Sequence, residues 1–330
     1  MPILEIDSLV VDYRTSRGTI HAVEDVSFYL EKGETMGLAG ESGSGKSTLG
    51  LSMMRLVPYP GVIAKGHIKI GGTDIIKLPE HEMRTIRGKK VAYIFQDPMT
   101  SLNPVKKIGE HFVELIRTHE PNTGKEQAFE RAKDILKNLG ILPERITDYP
   151  HQFSGGMRQR IMIGLAIALN PVLVIADEPT TALDVIVQAK ILDLLESLRK
   201  IYGMALILIS HDLSIILERC DKLVVMYAGN MVEYASSTEL HERPNHPYTQ
   251  GLLQSIPNVE LSDQRLSAIP GSPPNMLDLP KGCRFWPRCS YAMKACKAKE
   301  PSLISVGHDH FVRCFLYGEE GANVERNRKS

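Results

Sequence analysis

Gly40-Glu41-Ser42-Gly43-Ser44-Gly45-Lys46-Ser47-Thr48 is the stretch on which the reading of the whole chain turns. It satisfies the phosphate-loop pattern G-x-x-x-x-G-K-[ST]. Glycines let the backbone wrap a phosphate closely, while the loop N–H groups and the following helix start supply partial positive charge. Lys46 is placed to reach the β- and γ-phosphates of a nucleotide, and Ser47 to ligate Mg²⁺. The flanks are in order, with a short apolar strand over Thr35–Ala39 before the loop and a helix from Lys46 to about Leu56 after it. Gly40, Ser42, Gly43, Ser44, Gly45, Lys46, Ser47 and Thr48 are therefore the expected ATP contacts.

Upstream of the loop, Ile3–Tyr13 and Ile20–Leu30 are rich in β-branched and aromatic residues, with Ser16-Arg17-Gly18 between them, which predicts an antiparallel hairpin. Downstream, Lys65–Ile70 followed by Gly71-Gly72 predicts a second hairpin, and Val91–Phe95 a buried strand. Between about 98 and 170 the period becomes helical, best seen in Ile108–Thr118, Lys125–Leu139 and Gly155–Leu169. From Val172 the pattern alternates again: strand Val172–Ala176, helix Val185–Tyr202, strand Ala205–Ile209, helix Leu213–Arg219, strand Lys222–Tyr227. Such βαβα order argues for an α/β fold with a parallel sheet covered by helices. After about Glu242 prolines become frequent and periodicity fades, which puts a boundary there, with 1–242 on one side and 243–330 on the other.

Composition narrows the function. Lys+Arg and Asp+Glu balance at 39 each, so no basic excess offers itself to a phosphate backbone, and nucleic acid is not an expected partner. The longest apolar runs, Ile161–Leu169 and Val172–Ala176, are split by Asn170-Pro171 and fall short of the roughly 18 residues a membrane span requires. Acidic residues stand near the start where a secretory signal has basic ones, so a cytosolic setting is expected.

Asp177-Glu178 directly follows the apolar strand Val172–Ala176. An Asp at the carboxyl end of a buried strand can hold Mg²⁺ through water, and the adjacent Glu178 can polarise an attacking water as general base. A turn or capping acid before Pro179 is the plainer alternative. A further motif, Phe153-Ser154-Gly155-Gly156-Met157-Arg158-Gln159-Arg160, opens a helix with Ser-Gly-Gly and so makes a second anion site.

With both motifs present the chain resembles the ABC ATPase family, and the resemblance extends over nearly its whole length. It implies a P-loop NTPase of ABC type, with an antiparallel β subdomain and a helical subdomain at about 98–170. It also implies a head-to-tail dimer in which Ser154, Gly155, Gly156 and Asp184 embrace the nucleotide of the partner subunit. Met157 stands where the family pattern has Gln. Gln96 matches the glutamine that senses Mg²⁺ and the γ-phosphate, so Ser47, Gln96 and Asp177 form the expected Mg²⁺ set. Ala182-Leu183-Asp184 matches the loop that meets the opposite protomer, and His211 the switch histidine. Tyr13 fits the residue that stacks on adenine, although a Tyr in an amphipathic strand is commonly just packing. Glu178, His211 and Gln96 are thus the expected catalytic residues.

Pro244-Asn-His-Pro-Tyr-Thr-Gln-Gly-Leu-Leu253 and Phe95-Gln-Asp-Pro-Met-Thr-Ser-Leu-Asn-Pro104 resemble the oligopeptide and dipeptide importer branch. Physically, the first could also be a proline-stiffened linker. The branch implies a paralogous second ATPase subunit, two membrane permease subunits, an extracytoplasmic solute-binding protein acting indirectly, and a peripheral position on the cytoplasmic side of the membrane. Similar ATPases serve oligosaccharide or nickel uptake, and soluble ABC ATPases without a transport role form a further alternative. Finally, Cys283, Cys289, Cys296 and Cys314 cluster in the last segment. Four thiolates suit either a [4Fe–4S] cluster or zinc, with free or packing thiols as the plainer alternative, and the absence of a tight C-x2-4-C knuckle tilts toward iron–sulfur. The expected C-terminal extension is therefore a metal-binding one, while the fifth, Cys220, reads as a buried packing thiol.

Overall fold

The computed structural model describes residues 1–96, 101–181, 183–256 and 269–318. The chain condenses into two compact units. One gathers Met1–Glu5, Tyr29–Glu34 and Lys69–Ile207; the other gathers Ile6–Phe28, Thr35–Ile68 and the chain from Leu208 onward. In chain order the strands are β1 (Leu4–Thr15), β2 (Gly18–Leu30), β3 (Thr35–Ala39), β4 (Gly61–Ile70), β5 (Thr73–Asp74), β6 (Val91–Ile94), β7 (Leu173–Asp177), β8 (Ala205–Ile209), β9 (Lys222–Tyr227), β10 (Asn230–Ser236), β11 (Ile304–Gly307) and β12 (His310–Val312). The helices are α1 (Lys46–Ser52), α2 (Glu80–Ile86), α3 (Ile108–His119), α4 (Lys125–Asn138), α5 (Gly155–Ile167), α6 (Val185–Tyr202), α7 (Leu213–Arg219), α8 (Ser237–Glu242), α9 (Pro247–Gln254) and α10 (Lys294–Ala298).

In the first unit β6 and β7 pair in parallel, Val91 opposite Leu173 and Ile94 opposite Ala176, and the Ala205 N–H at the start of β8 donates to the Val172 carbonyl at 2.9 Å. Every residue of β6 and β7 is buried, which is why both read as unbroken apolar runs rather than alternating ones. Helices α3, α4 and α5 share a core in which Val113, Ile116, Ala128 and Leu169 are buried and Leu115 and Phe129 pack against them. Gly164 makes the close approach possible: a Cβ there would stand 2.5 Å from Leu139 Cδ1 and 3.2 Å from Phe112 Cζ. The helical stretch expected from the sequence is therefore present within this unit.

In the second unit the strand order is β4-β1-β2-β10-β9-β3, with β12 added to β10. β3 and β9 are parallel, Met36 opposite Lys222 and Ala39 opposite Val225. Their starts are tied by Asp221, whose Oδ2 accepts from the Thr35 N–H at 2.8 Å and from its hydroxyl at 2.7 Å. β10 runs antiparallel to β9, and β12 antiparallel to β10 with Glu233 opposite Val312 and Tyr234 opposite Phe311. The late segment, where periodicity fades, thus contributes strands to this sheet. Helix α1 stops at Ser52 rather than near Leu56; the Ser52 hydroxyl bonds the Leu49 carbonyl at 2.6 Å and Arg55 turns to a φ of +49°. Apolar Met53, Met54 and Leu56 prolong the helical pattern beyond the helix itself. Among the described residues no helix is long and apolar enough to cross a membrane.

Candidate functional site

The phosphate loop lies in the second unit between β3 and α1. Its shape depends on Gly40 (φ +145°) and Gly45 (φ +103°): a Cβ on either would sit 2.2 Å from a backbone carbonyl, that of Met226 or of Ala22 respectively. No side chain fits at either place. Lys46 is buried at the start of α1, and its ammonium donates to the Gly40 carbonyl at 2.7 Å, the Glu41 carbonyl at 2.9 Å and the Ser44 hydroxyl at 3.4 Å. The cation is therefore held inside the loop's curve, where phosphate oxygens can replace those carbonyls. Ser42, Gly43 and Ser47 are exposed. Tyr13 is half-buried beside the loop, its hydroxyl 3.4 Å from Thr48 Oγ1. His211 is exposed just beyond β8, and the adjacent Asp212 caps α7 by accepting from the Ser214 N–H at 2.9 Å.

The first unit carries the acids. Asp177 ends β7 and accepts from the buried Tyr93 hydroxyl at 2.7 Å. Burial, reinforced by this neighbouring carboxylate, pushes the Tyr93 phenol far up, so the tyrosine keeps its proton and serves as the donor. Glu178 follows with a φ of +45°, a left-handed conformation unusual for a residue with a side chain. Its Oε2 accepts from Gln96 Nε2 at 2.8 Å and from the Thr181 hydroxyl at 2.9 Å. Local backbone strain of this kind is typical of functional positions. Two residues that the sequence placed 82 apart are thus in direct contact.

Ser154 caps α5, its hydroxyl accepting from the Met157 N–H at 3.4 Å, and Gly155 and Gly156 form the helix's first turn. A Cβ on Gly156 would stand 2.8 Å from Val187 Cγ1, and one on Gly155 3.9 Å from Leu183 Cδ2, so this helix start packs against the start of α6. Asp184 caps α6 through the Val187 N–H at 3.0 Å. Ala182, between them, lies outside the described residues, as does the 97–100 part of the Phe95–Pro104 run.

The Pro244–Leu253 stretch is not a linker. His246 accepts from the Tyr248 N–H at 3.0 Å and so caps α9, Pro247 occupies the first helical position, and Tyr248 is driven into the core with no exposed surface. Buried Glu233 receives the Asn245 N–H at 2.6 Å, the His246 N–H at 3.0 Å and lies 2.8 Å from His310 Nε2, which fixes the entry of this helix.

Cys283, Cys289, Cys296 and Cys314 are all free thiols lining one small cavity with His246 and Phe285. Backbone N–H groups of Phe285 and Trp286 reach the Cys283 sulfur, that of Tyr291 reaches Cys289, and that of Leu316 reaches Cys314. Burial outweighs these donors, pushing Cys283 up to about 11 and Cys314 up to about 12. Among the described residues, however, no three His, Cys, Asp or Glu side chains are gathered so as to hold a metal ion. The expected ready-made metal centre is therefore not found among the described residues: Cys296 is buried and Cys283, Cys289 and Cys314 are half-buried around the cavity. The donor set still fits iron–sulfur or zinc in kind and number. Cys220 is buried, as read.

Sequence reasoning missed Tyr93, Thr181 and Glu233, whose partners are distant or masked by ordinary strand and turn patterns. The profile of the ABC transporter family matches residues 23–181, and that of the oligopeptide/dipeptide transporter C-terminal region matches residues 232–296. The oligopeptide transport ATP-binding protein OppD of Bacillus subtilis is 46% identical over 327 residues, covering 98% of this chain and 91% of that protein. The chain belongs to the ABC transporter family. The dipeptide transport ATP-binding protein DppD of Escherichia coli is 43% identical, over 95% of this chain and 96% of its own. Among solved structures, a dimeric ATP-binding cassette in a post-hydrolysis state with ADP and Pi aligns with a TM-score of 0.63 at 26% identity, covering 71% of this chain and 98% of that one. This ABC family member is accordingly an ATP-hydrolysing transporter subunit with the ABC ATPase fold, as the loop and the acid pair implied.

Proposed function

We propose that this ATPase powers import of di- or oligopeptides through membrane permeases, with residues 1–242 as the motor and 243–330 as its branch-specific extension. The observation that carries the substrate class is the match of residues 232–296 to the oligopeptide/dipeptide transporter C-terminal region, supported by relatives named for peptide transport. In this reading the loop amides and Lys46 hold the phosphates, Tyr13 stacks on adenine, and Ser47, Gln96 and Asp177 hold Mg²⁺. Glu178 takes the proton from water as it attacks the γ-phosphorus, and His211 contacts the γ-phosphate. Ser154, Gly155, Gly156 and Asp184 serve the nucleotide of a second, paralogous subunit. The helix start at Ser154 supports that role, since its Gly-Gly turn presents backbone N–H groups to an anion.

The partners follow from the same reading: two permease subunits, a paralogous ATPase, and a solute-binding protein that delivers cargo from outside. The chain would then sit peripherally on the cytoplasmic face of the membrane. Cys283, Cys289, Cys296 and Cys314 would hold a [4Fe–4S] cluster, with zinc as the alternative. A bound cluster would supply a cross-link among four points of the extension; its proximity to Phe285 and His246 favours a structural or regulatory role. Iron and acid-labile sulfide on anaerobically purified protein test this, and a colourless, iron-free product with bound zinc would choose the alternative.

The import reading is tested by reconstituting the chain with its permeases and binding protein in vesicles. ATP-dependent uptake of labelled tripeptide, lost in Lys46→Ala, is the expected result; uptake of nickel or an oligosaccharide instead of peptide would overturn the substrate class.

A further inference from the structure

Glu41, the second residue of the phosphate loop, is held at its main chain and at its side chain by the extension. Its N–H donates to the Tyr248 hydroxyl at 2.9 Å. Its carboxylate takes a two-pronged bond from Arg288, Nη1 to Oε2 at 2.7 Å and Nη2 to Oε1 at 2.9 Å. Its carbonyl receives Lys46, so every polar group of this one residue is engaged. Arg288 is itself immobilised: Nε donates to the Pro270 carbonyl at 2.8 Å, and the guanidinium stands 5.7 Å from the centre of the Tyr227 ring. Tyr227, Tyr248 and Phe285 pack edge and face around it, with Tyr227 4.6 Å from Tyr248 and 5.1 Å from Phe285.

A long-range staple joining the extension to the core would be the plain explanation. Two features argue for more. The loop's glycines leave its backbone soft, and Tyr248 fixes it at Glu41, one of the two residues whose carbonyls receive Lys46. The loop must also accept a polyanion, and a bare Glu41 carboxylate there would repel it; Arg288, whose side chain is only 6% exposed, cancels that charge at close range.

We propose that Arg288 and Tyr248 are positioning residues for the phosphate loop: the extension holds Glu41 in place and neutralises its carboxylate, and thereby sets the affinity for nucleoside triphosphate. This rests on the loop being the site of the ATP phosphates. It also links the thiol cavity to the motor, because Cys289 is the residue next to Arg288 and Phe285 borders both.

The test is the affinity of the full chain for a fluorescent Mg-ATP analogue, with thermal melting to verify folding. Arg288→Ala should weaken binding by about tenfold, the scale of an ordinary coupling between sites. Adding Glu41→Gln to it should restore most of that loss, because the unpaired charge disappears. Arg288→Lys, which keeps the charge without the fork, should fall between wild type and Arg288→Ala and carries the test if Arg288→Ala does not fold. In the assembled transporter, Arg288→Ala should raise KM for ATP while leaving kcat at saturation nearly intact. Arg288→Ala binding as tightly as wild type, or a double variant no better than Arg288→Ala alone, would overturn the proposal. Undiminished binding in Lys46→Ala would instead remove the phosphate-site assignment on which it rests.

Discussion

Gln96 and Glu178 are joined by a 2.8 Å hydrogen bond, amide nitrogen to carboxylate, at the ends of two adjacent parallel strands. The donor aims the Glu178 carboxylate, with the Thr181 hydroxyl on the same oxygen. Glu178→Gln should therefore keep ATP binding while hydrolysis falls by about 10²–10⁴-fold, the range for loss of a general base. The same variant should accumulate an ATP-bound dimer on size-exclusion chromatography. Undiminished turnover would take Glu178 out of this role.

Tyr93 donates to Asp177 from a buried position, so Tyr93→Phe removes one hydrogen-bond donor from the Asp177 carboxylate. A loss of about 1.5–3 kcal/mol is expected in denaturant melts, the scale of hydrogen bonds to charged groups. Mg²⁺ dependence of ATPase activity should shift to higher metal concentration, because the aspartate is no longer oriented. A variant with wild-type stability and metal dependence would make the contact incidental.

Gly156 has no room for a larger residue, since Val187 Cγ1 would be 2.8 Å from an added Cβ. If Gly156 serves the partner's nucleotide as proposed, Gly156→Val should separate ATP binding from ATP hydrolysis. The isolated chain should bind ATP with unchanged affinity, whereas ATPase activity of the assembled transporter should drop by an order of magnitude or more, as loss of a transition-state donor does. Equal loss of both would place the residue in the chain's own binding site.

Burial pushes His246 down to about 4 from 6.5, against the opposing pull of the Glu233 carboxylate. Its role as acceptor for the Tyr248 N–H needs the neutral ring. Between those two values the unfolded chain takes up a proton and the folded chain does not, so stability is full above pH 6.5 and declines as the pH falls toward 4. His246→Asn keeps a capping acceptor without titrating. Urea melts of that variant across this window should show a shallower decline than wild type; an identical slope would trace the acid sensitivity to other groups.

Much of the motor was legible because its signals are local. The loop glycines, the apolar strands β6 and β7, and the Ser-Gly-Gly helix start each declare themselves within a dozen residues. Helix α6 appears over Val185–Tyr202 as read, ended by Gly203 in a left-handed conformation. The extension was not legible in the same way. Arg288 meets Glu41 across 247 residues, and no periodic pattern marks either partner. The same is true of β12, a three-residue strand whose partner lies 79 positions earlier at Glu233–Val312. The His-Pro-Tyr run was ambiguous because a capped helix start and a stiff linker share the same prolines. Only the depth of Tyr248 decides between them.

The pairing of β12 with β10 has a consequence for biosynthesis. Residues 310–312 supply both a neighbour for β10 and, through His310, a partner for a carboxylate with no exposed surface. A nascent chain that has emerged only as far as Glu242 carries Glu233 without that companion. Completion of this sheet thus waits for the ribosome to deliver residues 310–312, and premature release before them should yield a product destined for chaperones or proteolysis.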